Sequence, residues 1–169
     1  MDSGTVEYNL WDRAKNWILS LIILPVGVYL LLNRGHYTWI DNADLVIHEG
    51  GHFFFKFFGI FIYAAGGTLM QIILPSLIAW YFFRKYYRPG VQLALLWLGQ
   101  NLINISVYAA DARSMKLHLL GGNKVFHDWH FMLGRLNMLS YDTTIGYIFW
   151  GAAAVIFLVA VLMPLIIKN

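Results

Sequence analysis

His48, Glu49 and His52 stand in the order H-E-x-x-H inside an apolar stretch, Asp44-Leu45-Val46-Ile47-His48-Glu49-Gly50-Gly51-His52-Phe53-Phe54-Phe55. On a helix, residues four apart lie one above the other on one face, so both imidazoles can reach a single metal ion. Glu49 then lies about 100° round the helix. There it can take a proton from an activated water without being a ligand itself. The bland alternative is a pair of packing histidines with a salt-bridged Glu. The apolar setting weighs against it, because ionisable groups in hydrocarbon are costly unless they face a partner or a cavity.

A catalytic zinc site takes three protein ligands and leaves one position for water. The chain has no cysteine, so the third ligand must come from its His, Asp or Glu residues. Asp111 and His127 lead. Asp111 closes a helical face of Gln100, Asn104 and Tyr108, with Asn101 beside it, and such a face turns inward in a membrane. His127 opens the sequence His127-Asp128-Trp129-His130, where Asp128 supplies an adjacent carboxylate. His118 and His130 rank lower. The bland readings pair Asp111 with Arg113 or Lys116 and leave 127–130 as a surface segment. Asp41 and Asp44 read as the cap and first turn of the helix carrying the motif, and Asp44, one turn before His48, can also orient that imidazole. Asn101 or Asn104 can steady an oxyanion or hold a substrate strand.

The elements that position these residues follow from composition. Of 169 residues, 59% are hydrophobic and 12% charged, against about 25% charged in a soluble domain. The expected fold is an all-α, polytopic transmembrane helical bundle of about five membrane segments, a single integral membrane domain over 1–169. The segments are 17–32, the motif helix over about 41–58, then 68–83, 91–110 and 143–167, with 129–139 lying along the interface. The run 60–67, β-prone and closed by Gly66-Gly67, reads as a short re-entrant or extended piece. Gly50 and Gly51 inside the motif helix imply a close approach by a neighbouring helix or a substrate backbone.

The segment 1–15 mixes acids and bases and reads as preceding a retained anchor. A net charge of +3 with scattered basic residues excludes a nucleic-acid-binding stripe. Under the positive-inside rule the Arg84-Lys85-Tyr86-Tyr87-Arg88 cluster is cytoplasmic, which puts the N-terminus outside and Lys168 inside. A simple serpentine then places the motif helix's start and Asp111 on opposite faces, whereas shared ligation needs them at one depth.

From His48 to Asp111 the chain resembles a reduced site-2 protease or a bacterial relative of it. H-E-x-x-H lies in one transmembrane helix, Ala65-Gly66-Gly67 follows as a turn, one helix returns, and an Asp comes from a third. In this chain the Asp stands in Tyr108-Ala109-Ala110-Asp111-Ala112, without the Pro and Gly of the family's usual context. The stretch from Tyr108-Ala109-Ala110-Asp111-Ala112-Arg113 through Gly121-Gly122 to His127-Asp128-Trp129 also looks like a signature of bacterial membrane proteins, which brings His127 and Asp128 towards the site. The resemblance implies a Zn2+-dependent intramembrane peptidase of the bacterial cytoplasmic membrane. His48, His52 and Asp111 would be ligands, Glu49 the base, and a peptide or membrane protein in the lipid bilayer the substrate.

Two rivals remain. His48-x-x-x-His52 and His127-x-x-His130 also look like the histidine boxes of membrane iron oxidoreductases, although those need more imidazoles than the six in this chain. The other rival is a non-catalytic membrane protein stabilised by zinc.

Overall fold

The computed structural model describes residues 14–117 and 127–167. Among them lie six α-helices and no strand: α1 (Ile18–Leu32), α2 (Ile40–Phe55), α3 (Ile60–Arg84), α4 (Arg88–Ala110), α5 (Asp128–Arg135) and α6 (Asp142–Ile166). Short 3-10 turns occupy Lys56–Phe58 and Leu139–Tyr141. The segment 1–13, His118, Gly121-Gly122, Lys124 and Lys168 lie outside the described residues.

Three stretches, Ile60–Arg84, Arg88–Ala110 and Leu139–Ile166, are long and apolar enough to cross a membrane. α1 is apolar but has only 15 residues, about 22 Å of helix against about 30 Å of hydrocarbon. α2 has 16 residues, carries Asp41, Asp44, His48, Glu49 and His52, and is not among the helices long and apolar enough to cross a membrane. The expected five segments reduce to three candidate spans and one shorter apolar helix.

The stretch 60–67, expected to be re-entrant or extended, forms the first two turns of α3. Gly66 and Gly67 are helical and make no turn. The break comes earlier, at Gly59, whose φ of +88° is one that a residue with a β-carbon rarely adopts. Aromatic and β-branched residues at 60–63 raise strand propensity, but packing against α2 overrides so weak a preference. At the other end of α3 a tight turn through Tyr86, also at positive φ, leads to Pro89 in the first turn of α4.

α4 is the centre of the bundle, with α3 on one side and α6 on the other. Its start is tied to α1 and α6. Arg88 donates to Asn16 Oδ1 at 3.0 Å, ahead of α1, and to the Ile167 carbonyl at 3.5 Å, just past α6. One turn on, Gln92 Nε2 donates to Ser20 Oγ at 2.8 Å and to the Ala160 carbonyl at 2.9 Å. At the opposite end Arg34 donates to the Ser106 carbonyl at 2.7 Å, and Trp150 Nε1 donates to that of Leu31 at 3.1 Å. The start of α1 and the end of α6 therefore share the end of the bundle that holds the Arg84–Arg88 cluster. That corrects the expectation that the N-terminal side lies opposite it.

α2 runs in the same sense as α4, with Asp41 beside Gln100 and His48 beside Tyr108. It runs against α3, with His48 beside Gln71 and His52 beside Tyr63. Since α1 also runs with α4, the connection over 33–39 doubles back before α2 begins. The conflict of depth in a simple serpentine disappears, because α2 rises towards the end of the bundle where α4 finishes.

Candidate metal centre

The inner face of α2 is made of Asp41, Asp44, His48, Gly51 and His52, all buried. Glycines let this face approach α3 almost backbone to backbone. A β-carbon on Gly51 would lie 2.2 Å from the Gly66 carbonyl oxygen, and one on Gly67 would lie 2.3 Å from His48 Cε1. The His48 ring thus fills the space that Gly67 leaves. Gly50 differs, since a β-carbon there meets nothing within 4 Å.

Across from α2, the short helix α5 delivers Asp128 to the two imidazoles. His48 Nε2 and His52 Nε2 are 3.2 Å apart, and Asp128 Oδ2 lies 3.1 Å from the first and 3.2 Å from the second. Zinc-type bonds at the tetrahedral angle separate ligand atoms by about 3.3 Å. The triangle therefore has the size of one face of a tetrahedral site, and this buried group can hold a metal ion.

The outer nitrogens decide the tautomers. His52 Nδ1 lies 2.7 Å from the Tyr63 carbonyl, which can only accept, so the proton of a neutral ring is on Nδ1 and Nε2 is bare. His48 Nδ1 likewise donates to Gln71 Oε1 at 3.1 Å. Two nitrogen lone pairs and a carboxylate oxygen converge, with no hydrogen of their own to place between them. A proton can satisfy one pair of these atoms; a metal ion satisfies all three.

Asp128 is held in turn by Tyr108, whose hydroxyl donates to Oδ2 at 3.2 Å and accepts the Asp128 backbone N–H at 3.1 Å. Burial favours the protonated Asp128 carboxyl, but contact with His48 and His52 outweighs it and holds the group below the usual carboxylate range, the proton shared in that contact being the one a metal ion would replace.

Asp111, expected as third ligand, stands apart from this triangle. It is the C-cap of α4, and its carboxylate accepts from the Ser114 hydroxyl and from the backbone N–H groups of Lys116 at 3.0 Å and Leu117 at 2.9 Å. Burial opposes its ionisation, yet these donors hold its carboxyl below the ordinary range. Its task is to shape the chain leaving α4. Arg113, its expected partner, pairs with Asp142 at 2.8 Å instead.

His127, the alternative ligand, is the N-cap of α5, and its Nδ1 accepts the His130 N–H at 3.2 Å. The proton of the neutral ring is then on Nε2, which faces Asp111 Oδ2 at 3.5 Å and has no lone pair for a metal. Burial lowers the pKa of this imidazole against the pull of Asp111. His130 Nδ1 donates to the Ala112 carbonyl at 2.8 Å, so the 127–130 pair builds the loop and does not converge as a second box.

Asp44 makes no hydrogen bond to His48, whose Nδ1 is taken by Gln71. It accepts from Trp97 Nε1 at 2.8 Å, Asn101 Nδ2 at 3.1 Å and Asn104 Nδ2 at 3.0 Å. Asn104 Nδ2 also donates to Asp41 at 2.6 Å and Asn101 Nδ2 to the Trp97 carbonyl at 3.0 Å, so the N–H groups expected to serve an oxyanion are engaged within the protein. Asp41 lies inside the first turn of α2 and does not cap it. Glu49 is exposed on the flank of the centre, near enough for its charge to act on His52 and Tyr108. Sequence reasoning passed over Gln71 as a partner for His48; its cue was a polar side chain one turn beyond Gly67 on an apolar helix. Comparison of the chain with known protein families, curated proteins and solved structures finds no match, so the reading of the centre rests on its own chemistry.

Proposed function

We propose that the chain is a membrane-embedded zinc metallopeptidase that hydrolyses a peptide bond in or beside the bilayer. One observation carries the reading. Three lone-pair atoms, His48 Nε2, His52 Nε2 and Asp128 Oδ2, converge at 3.1 to 3.2 Å beside an exposed Glu49 that is not among them. Zinc bound by the three would supply Lewis-acid polarisation of a carbonyl and activation of water. Glu49 accepts the proton of the attacking water and returns it to the leaving nitrogen. Gln71 and the Tyr63 carbonyl hold the two rings by their far nitrogens, and Tyr108 holds Asp128. The open flank at Gly50 leaves room for a substrate backbone next to Glu49.

The histidine-box alternative is disfavoured by His127 and His130, whose Nδ1 atoms are engaged by the His130 N–H and the Ala112 carbonyl. Metal analysis of the purified protein, together with cleavage of a membrane-segment peptide by wild type and Glu49→Gln, tests the proposal. One zinc per chain in both proteins and cleavage only by wild type is the expected outcome. Iron in place of zinc, or cleavage that survives Glu49→Gln, defeats it.

A further inference from the structure

Asp41 and Asp44 are both buried, and neither has a cationic partner among the described residues. They are answered instead by neutral donors, most of them from α4. Asp44 takes Trp97, Asn101 and Asn104, as described above. Asp41 Oδ1 accepts from Gln100 Nε2 at 2.7 Å and Asn104 Nδ2 at 2.6 Å, and its Oδ2 accepts from the Thr38 hydroxyl at 2.7 Å and the Thr38 N–H. The amides are turned so that their N–H groups meet the carboxylates. That orientation leaves Gln100 Oε1 and Asn101 Oδ1 buried without a protein partner, so the amides face the two acids with their donors, Asn101 giving its second N–H to the Trp97 carbonyl.

The two faces by which α2 is held differ in kind. Against α3 the backbones meet glycine on glycine, and the hydrogen bonds across that face are those of the imidazoles themselves, to Gln71 and the Tyr63 carbonyl, so the hold that is independent of the imidazoles lies on the other side. Against α4 the contact is directional, because hydrogen bonds weaken steeply with distance and angle. Asp44 lies one turn before His48 on the same buried face, so the register set at Asp44 is carried through the helix backbone to both imidazoles.

We infer that the Asp41–Asp44 latch on Trp97, Gln100, Asn101 and Asn104 sets the register of the metal-binding helix, which makes Asp44 a positioning residue of the metal centre. The inference rests on the metal reading of His48, His52 and Asp128. It goes beyond that reading by assigning α4 a share in the geometry of the site without contributing a ligand.

Full-length protein purified in detergent is titrated with Co2+, whose visible spectrum reports coordination geometry, in wild type, Asp44→Asn and the exchange Asp44→Asn with Asn101→Asp. Asp44→Asn is expected to weaken Co2+ binding at least tenfold and to change the visible band. The exchange restores an amide-to-carboxylate bond between the helices and is expected to recover both. Unchanged affinity and spectrum in Asp44→Asn overturn the inference, as does a loss that the exchange fails to rescue. Because the chain lacks cysteine, spin labels at Val46→Cys and Leu93→Cys read the α2 to α4 distance without metal. A distance that shifts in Asp44→Asn while wild type binds no Co2+ removes the metal reading and leaves the latch standing. An unshifted distance removes the latch. If Asp44→Asn fails to fold, Trp97→Phe deletes one donor only and is expected to weaken Co2+ binding severalfold; no change in that variant overturns the inference.

Discussion

Each candidate ligand of the centre is gripped from behind by one group, so deleting such a side chain and loosening one are expected to differ in size. Asp128→Ala or His52→Ala removes a corner of the triangle, and stoichiometric zinc is predicted to be lost on dialysis. Tyr108→Phe keeps the ring and removes only the hydroxyl that holds Asp128. By the usual weight of such outer contacts, zinc affinity is predicted to fall about 10- to 100-fold, measured by competition with a chelator. Acid acts on the same atoms. Both Nε2 atoms must be unprotonated to bind, so metal uptake is predicted to decline as the solution is made acid. Metal retention that does not vary from pH 8 to pH 5 speaks against imidazole ligation.

At the level of the element, adjacent glycines of α2 and the glycine pair of α3 make opposite predictions from one residue type. Gly67→Ala puts a methyl group into the His48 ring and is predicted to abolish metal binding, whereas Gly50→Ala meets open space. The latter is predicted to leave metal content intact and, by helix propensity, to stabilise α2 by up to about 1 kcal/mol. Metal titration and thermal melts of the two variants decide the matter. That glycines occur at these places is plain in the sequence, and so are the ligand pair at spacing four and the inward polar face of α4. What spacing could not reveal is which carboxylate returns to the imidazoles. Asp111 and Asp128 are both acids beside helix ends, and only the hydrogen bonds from Ser114, Lys116 and Leu117 disclose that Asp111 is spent on the chain turn. The two first turns of α3 were hidden for a different reason, because aromatic and β-branched residues obscure a helix whose contacts decide its form.

For the whole molecule, the joined hydrogen bonds of Arg88 predict a definite sidedness. Single cysteines at Lys85 and Ile166 are expected to be labelled by an impermeant thiol reagent from one side of a sealed vesicle, and cysteines at Tyr37 and Leu117 from the other. Labelling of Lys85 and Ile166 from opposite sides contradicts the arrangement of α1, α4 and α6.

The polarity of α2 has a further meaning for biogenesis. α3, α4 and α6 can partition into lipid by their own hydropathy, whereas α2, with five ionisable side chains in 16 residues, has no such affinity. Its carboxylates find their donors on α4, its glycine finds its groove on α3, and its imidazoles find their third partner on α5. Every one of those lies later in the chain. The helix that carries the candidate metal ligands is thus made early, and its seating is predicted to wait on the synthesis of the scaffold that accepts it. A nascent chain stopped before α4 is predicted to leave α2 open to protease, while one released after α5 protects it. The candidate metal centre is thereby predicted to stay unassembled until most of the protein around it exists.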